Sequence, residues 1–553
     1  MVAPPSAAGA VPGVEDVVPP QEAPSKASTT AAITKRDLLM ADEGTSATAL
    51  GSSIHDVRIW HAAALGLAAL APCAACHRAD PGPASHDAAA DAAPSLDPPA
   101  PRAADARAIN RCAPVDAAKV ARFAVDTSIV DLAVPPIVDP TGTLASFHTR
   151  VARLARGGAT DHVRIAMFGD SNLTADATTG RLRRQLQARF GDGGHGYVAL
   201  SRPWEWYSHN DVHHDGTWKS WKQIATSTNK VMDAHYGFAN IAAECAVPGC
   251  SSWVSTDPRP GAPIGWTASR FDLFFLQQPG GGSFDVAVDG SVVRSIDTRA
   301  ASFEAAFERF DLPDAHHELK VLVRGHGPVR MYGVALERAQ PSIIVDSLGT
   351  GSLNFEQLTI VKNDTRRAQL QRRSYDLVLI QLGTNVWGTD AENKRNAKLF
   401  VDELRGARPD VPILFVSSPD SMEDAVPGAP PAKHSDARVV KMAKTVRTIA
   451  EESRAAFWDW HAAMGGADSI LAFAKKGLVE PDRVHLKKSG DELMADRMLS
   501  ALWDDLATYV EGHPTAGCDP AEAPSPSPAP AATSAASSAP SASTTSASKT
   551  PAK

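Results

Sequence analysis

Runs of basic residues, an apolar stretch long enough to span a bilayer and internal repeats are all missing from this chain, and each absence closes a class of function. Lys and Arg number 55 against 63 Asp and Glu, for a net charge of -8, and the basic residues are scattered. No electrostatic footprint for nucleic acid is present, so a polyanion is not an expected partner. Cysteine is sparse too, at 6 in 553 residues, and the length calls for two folded units rather than one.

The sustained apolar stretch near the N-terminus, Val57 to His77, is too short for a comfortable transmembrane helix. A basic Arg58, a short apolar run and small residues have the layout of a secretory signal. The expectation is an exported, periplasmic or cell-envelope protein whose translation begins near Val57. Leu70-Ala-Pro-Cys73 loosely resembles a lipoprotein cleavage box, which makes a lipid anchor a second expectation. Residues 1–110 and 519–553, rich in Ala, Pro and Ser, bury too little apolar surface to offset their ordering entropy and read as disordered.

Cys73-Ala-Ala-Cys76-His77 spells a c-type haem attachment motif. It occurs once, beside the signal-like run, with no compact helical domain after it, so no haem is expected. The remaining cysteines suit an oxidising compartment. Cys245 and Cys250 enclose a Pro-Gly turn and are candidates for a local bridge. Cys112 and Cys518 stand where the folded region begins and ends, and a disulfide between them would clamp its termini.

From His162 onward, short apolar runs alternate with longer amphipathic segments, the pattern of a parallel sheet with crossover helices. Strands are predicted at 162–168, 342–346, 376–382, 412–417 and 455–459. Helices are predicted at 177–190, 353–371, 391–406, 434–454 and 488–511. The gap between the first two strands far exceeds a crossover. It is rich in Trp, Gly and Pro, and it holds period-2 segments such as 283–289 and 318–324. An all-β sandwich at 195–340 is therefore expected, inserted into an α/β domain made of 111–194 and 341–518.

Chemistry-bearing residues gather where strands end. Gly169-Asp170-Ser171-Asn172 follows the first strand, Gly349-Thr350-Gly351 the second and Gly383-Thr384-Asn385 the third. Taken singly, each is an ordinary turn or cap. Together they offer a serine hydroxyl, backbone N–H groups that glycine leaves accessible, and an Asn amide at one crevice. Pro481-Asp482-Arg483-Val484-His485, ahead of the last helix, adds a carboxylate and an imidazole three residues apart, the base that a neutral serine hydroxyl needs.

In that order, the four blocks resemble the SGNH/GDSL hydrolase superfamily. The resemblance implies a three-layer α/β/α, flavodoxin-like fold and a serine-ester mechanism without cofactor or metal. It implies a triad of Ser171, Asp482 and His485, and an oxyanion hole from Ser171 N–H, Asn385 and a glycine, Gly351 in preference to Gly349. With a β-sandwich between its first and second blocks, the chain is similar to bacterial peptidoglycan O-acetylesterases, whose insert is similar to a carbohydrate-binding module. That likeness implies an acetylated glycan substrate, with an O-acetyltransferase or an inactive glycan-binding protein as alternatives. Trp204, Trp206 and Tyr207 are candidate sugar-stacking residues, although aromatics in a β-sandwich more often fill its core.

Overall fold

Five runs in which nearly every residue is apolar become the strands of one parallel sheet, because a strand buried on both faces has no polar side to show. The computed structural model describes residues 112–200, 202–204, 207–218, 221–223, 230–256, 264–422 and 433–518. The signal-like run, the haem-like motif, Trp206 and both tails lie outside the described residues. The strands are β1 (Val163–Gly169), β2 (Ile343–Gly349), β3 (Leu377–Gln381), β4 (Ile413–Val416) and β5 (Ala456–Trp458). Their spatial order is β2-β1-β3-β4-β5, so the winding reverses between β1 and β3. Open α/β sheets bind their ligands at such a reversal, beyond the carboxyl ends of the strands.

Side chains alternate between two cores. Ile165 and Met167 face Leu182, Leu186 and Trp503, from helices Ala177–Phe190 and Lys488–Gly512. Ala166 and Phe168 face Phe400 and Val446, from helices Asp390–Ala407 and Ala437–Glu452. The result is a three-layer α/β/α unit. The helix predicted at 353–371 is two, Phe355–Leu358 and Asn363–Arg373. Between them the β-branched run Thr359-Ile360-Val361 disfavours helix. Helix Ala145–Ala155, which precedes β1, was not among the predicted elements.

The segments from Gly196–Val198 to Val329–Glu337 form two antiparallel sheets. One is centred on Ala268–Gln277 and Val329–Glu337, the other on Ser251–Thr256 and Glu318–Gly325. Phe275 of the first meets Phe284 of the second edge to face at 5.3 Å, and apolar residues of both sheets fill one core. Trp204 belongs to that core at 8% exposure. Tyr207 packs against it, and its hydroxyl accepts a hydrogen bond from Ala199 N–H at 3.0 Å. Trp204 is therefore a core residue, and Tyr207 is half-buried against the same core.

A buried charge cluster ties the sandwich to the sheet. Glu337, at the end of the last sandwich strand, accepts from Arg164 of β1 (3.0 and 2.9 Å) and from Arg373 (2.7 Å). Arg373 also grips Asp346 of β2 at 2.9 Å through two nitrogens. Asp346 in turn accepts from Tyr197 N–H (2.8 Å) and the Tyr375 hydroxyl (2.6 Å). Burial opposes ionisation of Glu337, but Arg373 and Arg164 outweigh it and hold the carboxyl far below the usual range.

Cys112 and Cys518 are joined, closing a loop across 406 positions. Cys245 and Cys250, by contrast, are two free thiols, which corrects the expectation of a local bridge. Cys245 ends a strand of one sheet and Cys250 precedes a strand of the other. The turn between them therefore serves as a crossover from sheet to sheet. Burial, and then the neighbouring Cys245 thiol, push the Cys250 thiol up to about 12.

Removing one partner of a fully enclosed ion cluster strands the others. Arg373→Ala is therefore expected to lower the free energy of unfolding by about 3–5 kcal/mol in urea denaturation. A loss below about 1 kcal/mol would show that the cluster does not hold the two units together.

Candidate active site

The register of the sheet brings the predicted strand-end turns together. Gly169 of β1 lies opposite Gly349 of β2 on one side and Gln381 of β3 on the other. Thr350 N–H donates to Gly169 O at 2.9 Å, and Asn172 Nδ2 donates to Thr384 Oγ1 at 3.0 Å. Asn385 Nδ2 reaches Leu353 O at 3.4 Å. The three turns thus form a bonded ring at the carboxyl end of the sheet.

Local chemistry fixes Ser171 within that ring. Residues Ser171–Leu173 make a single 3-10 turn, capped by Asp170 Oδ1, which accepts from Asn172 N–H (3.1 Å) and Nδ2 (2.7 Å). Asp170 is fully buried, and burial pushes its carboxyl up. The turn rests directly on two glycines. A Cβ on Gly349 would lie 2.6 Å from the Leu173 main chain, and one on Gly169 would lie 2.4 Å from the Leu173 side chain.

The Asp482/His485 segment arrives from the far end of the chain as a tight loop. Val479 and Leu486 bridge at its base, and Glu480 N–H donates to His485 O at 2.8 Å. Arg483 takes the left-handed conformation at φ 56°, and its carbonyl is held by Met422 N–H at 3.0 Å. This bend turns Asp482 back along its own loop, where Oδ1 accepts from Val484 and His485 N–H at 2.9 and 3.0 Å. Asp482 Oδ2 lies 2.7 Å from His485 Nδ1, and His485 Nε2 lies 2.7 Å from Ser171 Oγ.

An ionised carboxylate only accepts, so Nδ1 carries the proton and Nε2 is left to accept from the Ser171 hydroxyl. Partial burial works against the charge on Asp482. The hydrogen bonds from His485 and Val484 outweigh it and keep the carboxyl below its ordinary range. Serine, imidazole and carboxylate form one connected chain across 314 positions.

Beside that chain lies a cleft of about 350 Å³, walled by Ser171, Asn172, Thr174 and Ala175 and by Glu480, Asp482, His485 and Asp491. Asn385 and Val484 line a second cleft, of about 280 Å³. Sequence reasoning did not find Asn172 as the tie between the first and third turns. Nor did it mark Asp491 as a wall of the cleft, since an acid in a helix's first turn is commonplace. Asp491 is buried, and burial together with neighbouring Glu492 drives its carboxyl far above the usual range.

Residues 324–493 match the GDSL-like Lipase/Acylhydrolase family. That stretch holds the Gly383-Thr384-Asn385 and Asp482/His485 blocks, while the Ser171 block lies upstream of it. Among solved structures, the chain is similar to a peptidoglycan O-acetylesterase at 21% identity and a TM-score of 0.55, over 67% of this chain and 99% of that one. It is also aligned with a family two carbohydrate esterase from Clostridium thermocellum in complex with cellohexaose, at 12% identity and a TM-score of 0.23, over 48% of this chain and 95% of that one. No curated protein matches the chain. Residues 324–493 thus carry the likeness to GDSL-like acylhydrolases, and the α/β unit with its inserted antiparallel sheets shares its fold with the peptidoglycan O-acetylesterase structure.

Proposed function

We propose that this chain is a serine esterase that removes O-acetyl groups from a cell-envelope polysaccharide, peptidoglycan foremost, through an acetyl-serine intermediate. The carrying observation is the Ser171–His485–Asp482 chain, with both links at 2.7 Å. His485 Nε2 takes the proton as Ser171 Oγ attacks the acetyl carbonyl, and the carbonyl oxygen becomes an oxyanion. The Ser171 and Gly351 N–H groups and the Asn385 amide are the donors assigned to it. Gly351 follows Gly349, the register partner of Gly169, and Asn385 closes the neighbouring turn. Collapse breaks the bond to the sugar oxygen, which receives the proton from His485, and leaves acetyl-Ser171. Water, losing a proton to His485, attacks that ester; acetate departs and Ser171 is restored.

The acetylated-glycan substrate is supported by the fold shared with a peptidoglycan O-acetylesterase and by the β-sandwich placed between β1 and β2. A signal-like run at 57–77 supports an envelope location.

Acetate release from O-acetylated peptidoglycan, acetylated xylan and 4-nitrophenyl acetate tests the reading. Peptidoglycan is expected to be the best substrate, and Ser171→Ala to be inert on all three; normal turnover by that variant refutes the assignment. Asn385→Ala is expected to lower kcat about 10²- to 10³-fold with a much smaller change in KM. Gly349→Ala, which forces the Leu173 main chain away, should misplace Ser171 and cost about 10²-fold in kcat with unchanged circular dichroism. Wild-type kcat in that variant would show that the close approach does not set the nucleophile's position.

A further inference from the structure

Two residues beyond Asn385 stands a half-exposed tryptophan. Trp387 is 50% exposed, although the loop beneath it is tightly braced. Its carbonyl accepts from the buried Asn393 amide at 2.8 Å, and Val386 N–H donates to Thr384 O at 3.2 Å. Thr389 and Glu392 form a capping box that starts the following helix. Half of the Trp387 surface stays open to solvent on a loop held by these hydrogen bonds, and such an aromatic face is a platform for a ligand.

The surroundings of the indole say which ligand. Trp387 lines two clefts at once. One, of about 280 Å³, leads back to Asn385 and carries Asn354 and Arg438. The other, of about 270 Å³, carries Glu392 and Arg395. Amide, guanidinium and carboxylate groups thus flank a flat apolar surface. A pyranose ring matches that arrangement: its C–H face is apolar and stacks on an aromatic, while its rim of hydroxyls both donates and accepts.

We propose that Trp387 and its flanking clefts form a sugar subsite that holds a pyranose unit neighbouring the one whose ester reaches Ser171. The subsite is continuous with the Asn385 turn, so a glycan seated on Trp387 presents its next unit to the oxyanion side of the nucleophile. Trp204, by contrast, is enclosed in the sandwich core. The substrate class rests on the glycan-esterase reading, and two measurements separate failure of the one from failure of the other.

In the first, chitotetraose, a soluble N-acetylglucosamine tetramer, is titrated calorimetrically into the full chain carrying Ser171→Ala, with and without Trp387→Ala. Affinity is expected to fall about tenfold without the indole, equivalent to about 1.4 kcal/mol, and Trp387→Phe should keep most of it. Equal affinities, or binding by neither protein, overturn the subsite. In the second, kcat/KM is compared between wild type and Trp387→Ala on O-acetylated peptidoglycan and on 4-nitrophenyl acetate. The loss on the polymer is expected to exceed that on the aryl ester by about tenfold, through KM; equal losses overturn the subsite while the esterase reading stands. Trp387-dependent chitotetraose binding by a wild-type protein that frees no acetate from any glycan supports the subsite and overturns the esterase reading.

Discussion

The site depends on the register of three parallel strands. Gly169, Gly349 and Gln381 stand side by side, and the turns that follow them can bond to one another only in that alignment. A shift of one residue on a strand would reverse its inward and outward side chains, and every core contact resists it. The packing of Ile165 and Met167 on one face and of Ala166 and Phe168 on the other therefore stabilises the sheet and also aims Ser171. Glycine at 349 completes the arrangement, since the Leu173 main chain occupies the space that a side chain would take.

The inserted sandwich interrupts the chain between β1 and β2, yet it leaves their pairing whole. The insert leaves and returns beside the same buried cluster, with Tyr197 at its start and Glu337 at its end bound to Asp346, Arg164 and Arg373. Charges this deeply buried stabilise only as a complete set, because each alone carries a desolvation penalty of several kcal/mol. The cluster thus works as a register pin. It fixes where the insert joins the sheet, while the apolar core supplies the bulk of the binding.

Much of the α/β unit was legible in the residues. The five apolar runs became strands within three residues of the predicted bounds, because doubly buried strands have a pattern that few other elements share. Less was legible where the deciding partner lies far away in sequence. The burial of Trp204 and the separate thiols of Cys245 and Cys250 follow from which sheet lies opposite. Local spacing carries no record of that choice.

The sequence by itself determined the kinds of groups present and the order in which they come: a serine, glycine-bearing turns and an Asn amide after apolar strands, and an Asp and His three residues apart before the last helix. Strand-end placement follows from apolar period and turn chemistry, both of which are local. Only the tertiary structure decided that His485 closes on Ser171, 314 positions away, at 2.7 Å. It likewise decided that Trp387 is exposed beside Asn385 while Trp204 is enclosed. Those outcomes are set by long-range packing, in which the strand order and the left-handed bend at Arg483 orient side chains that no short segment can direct.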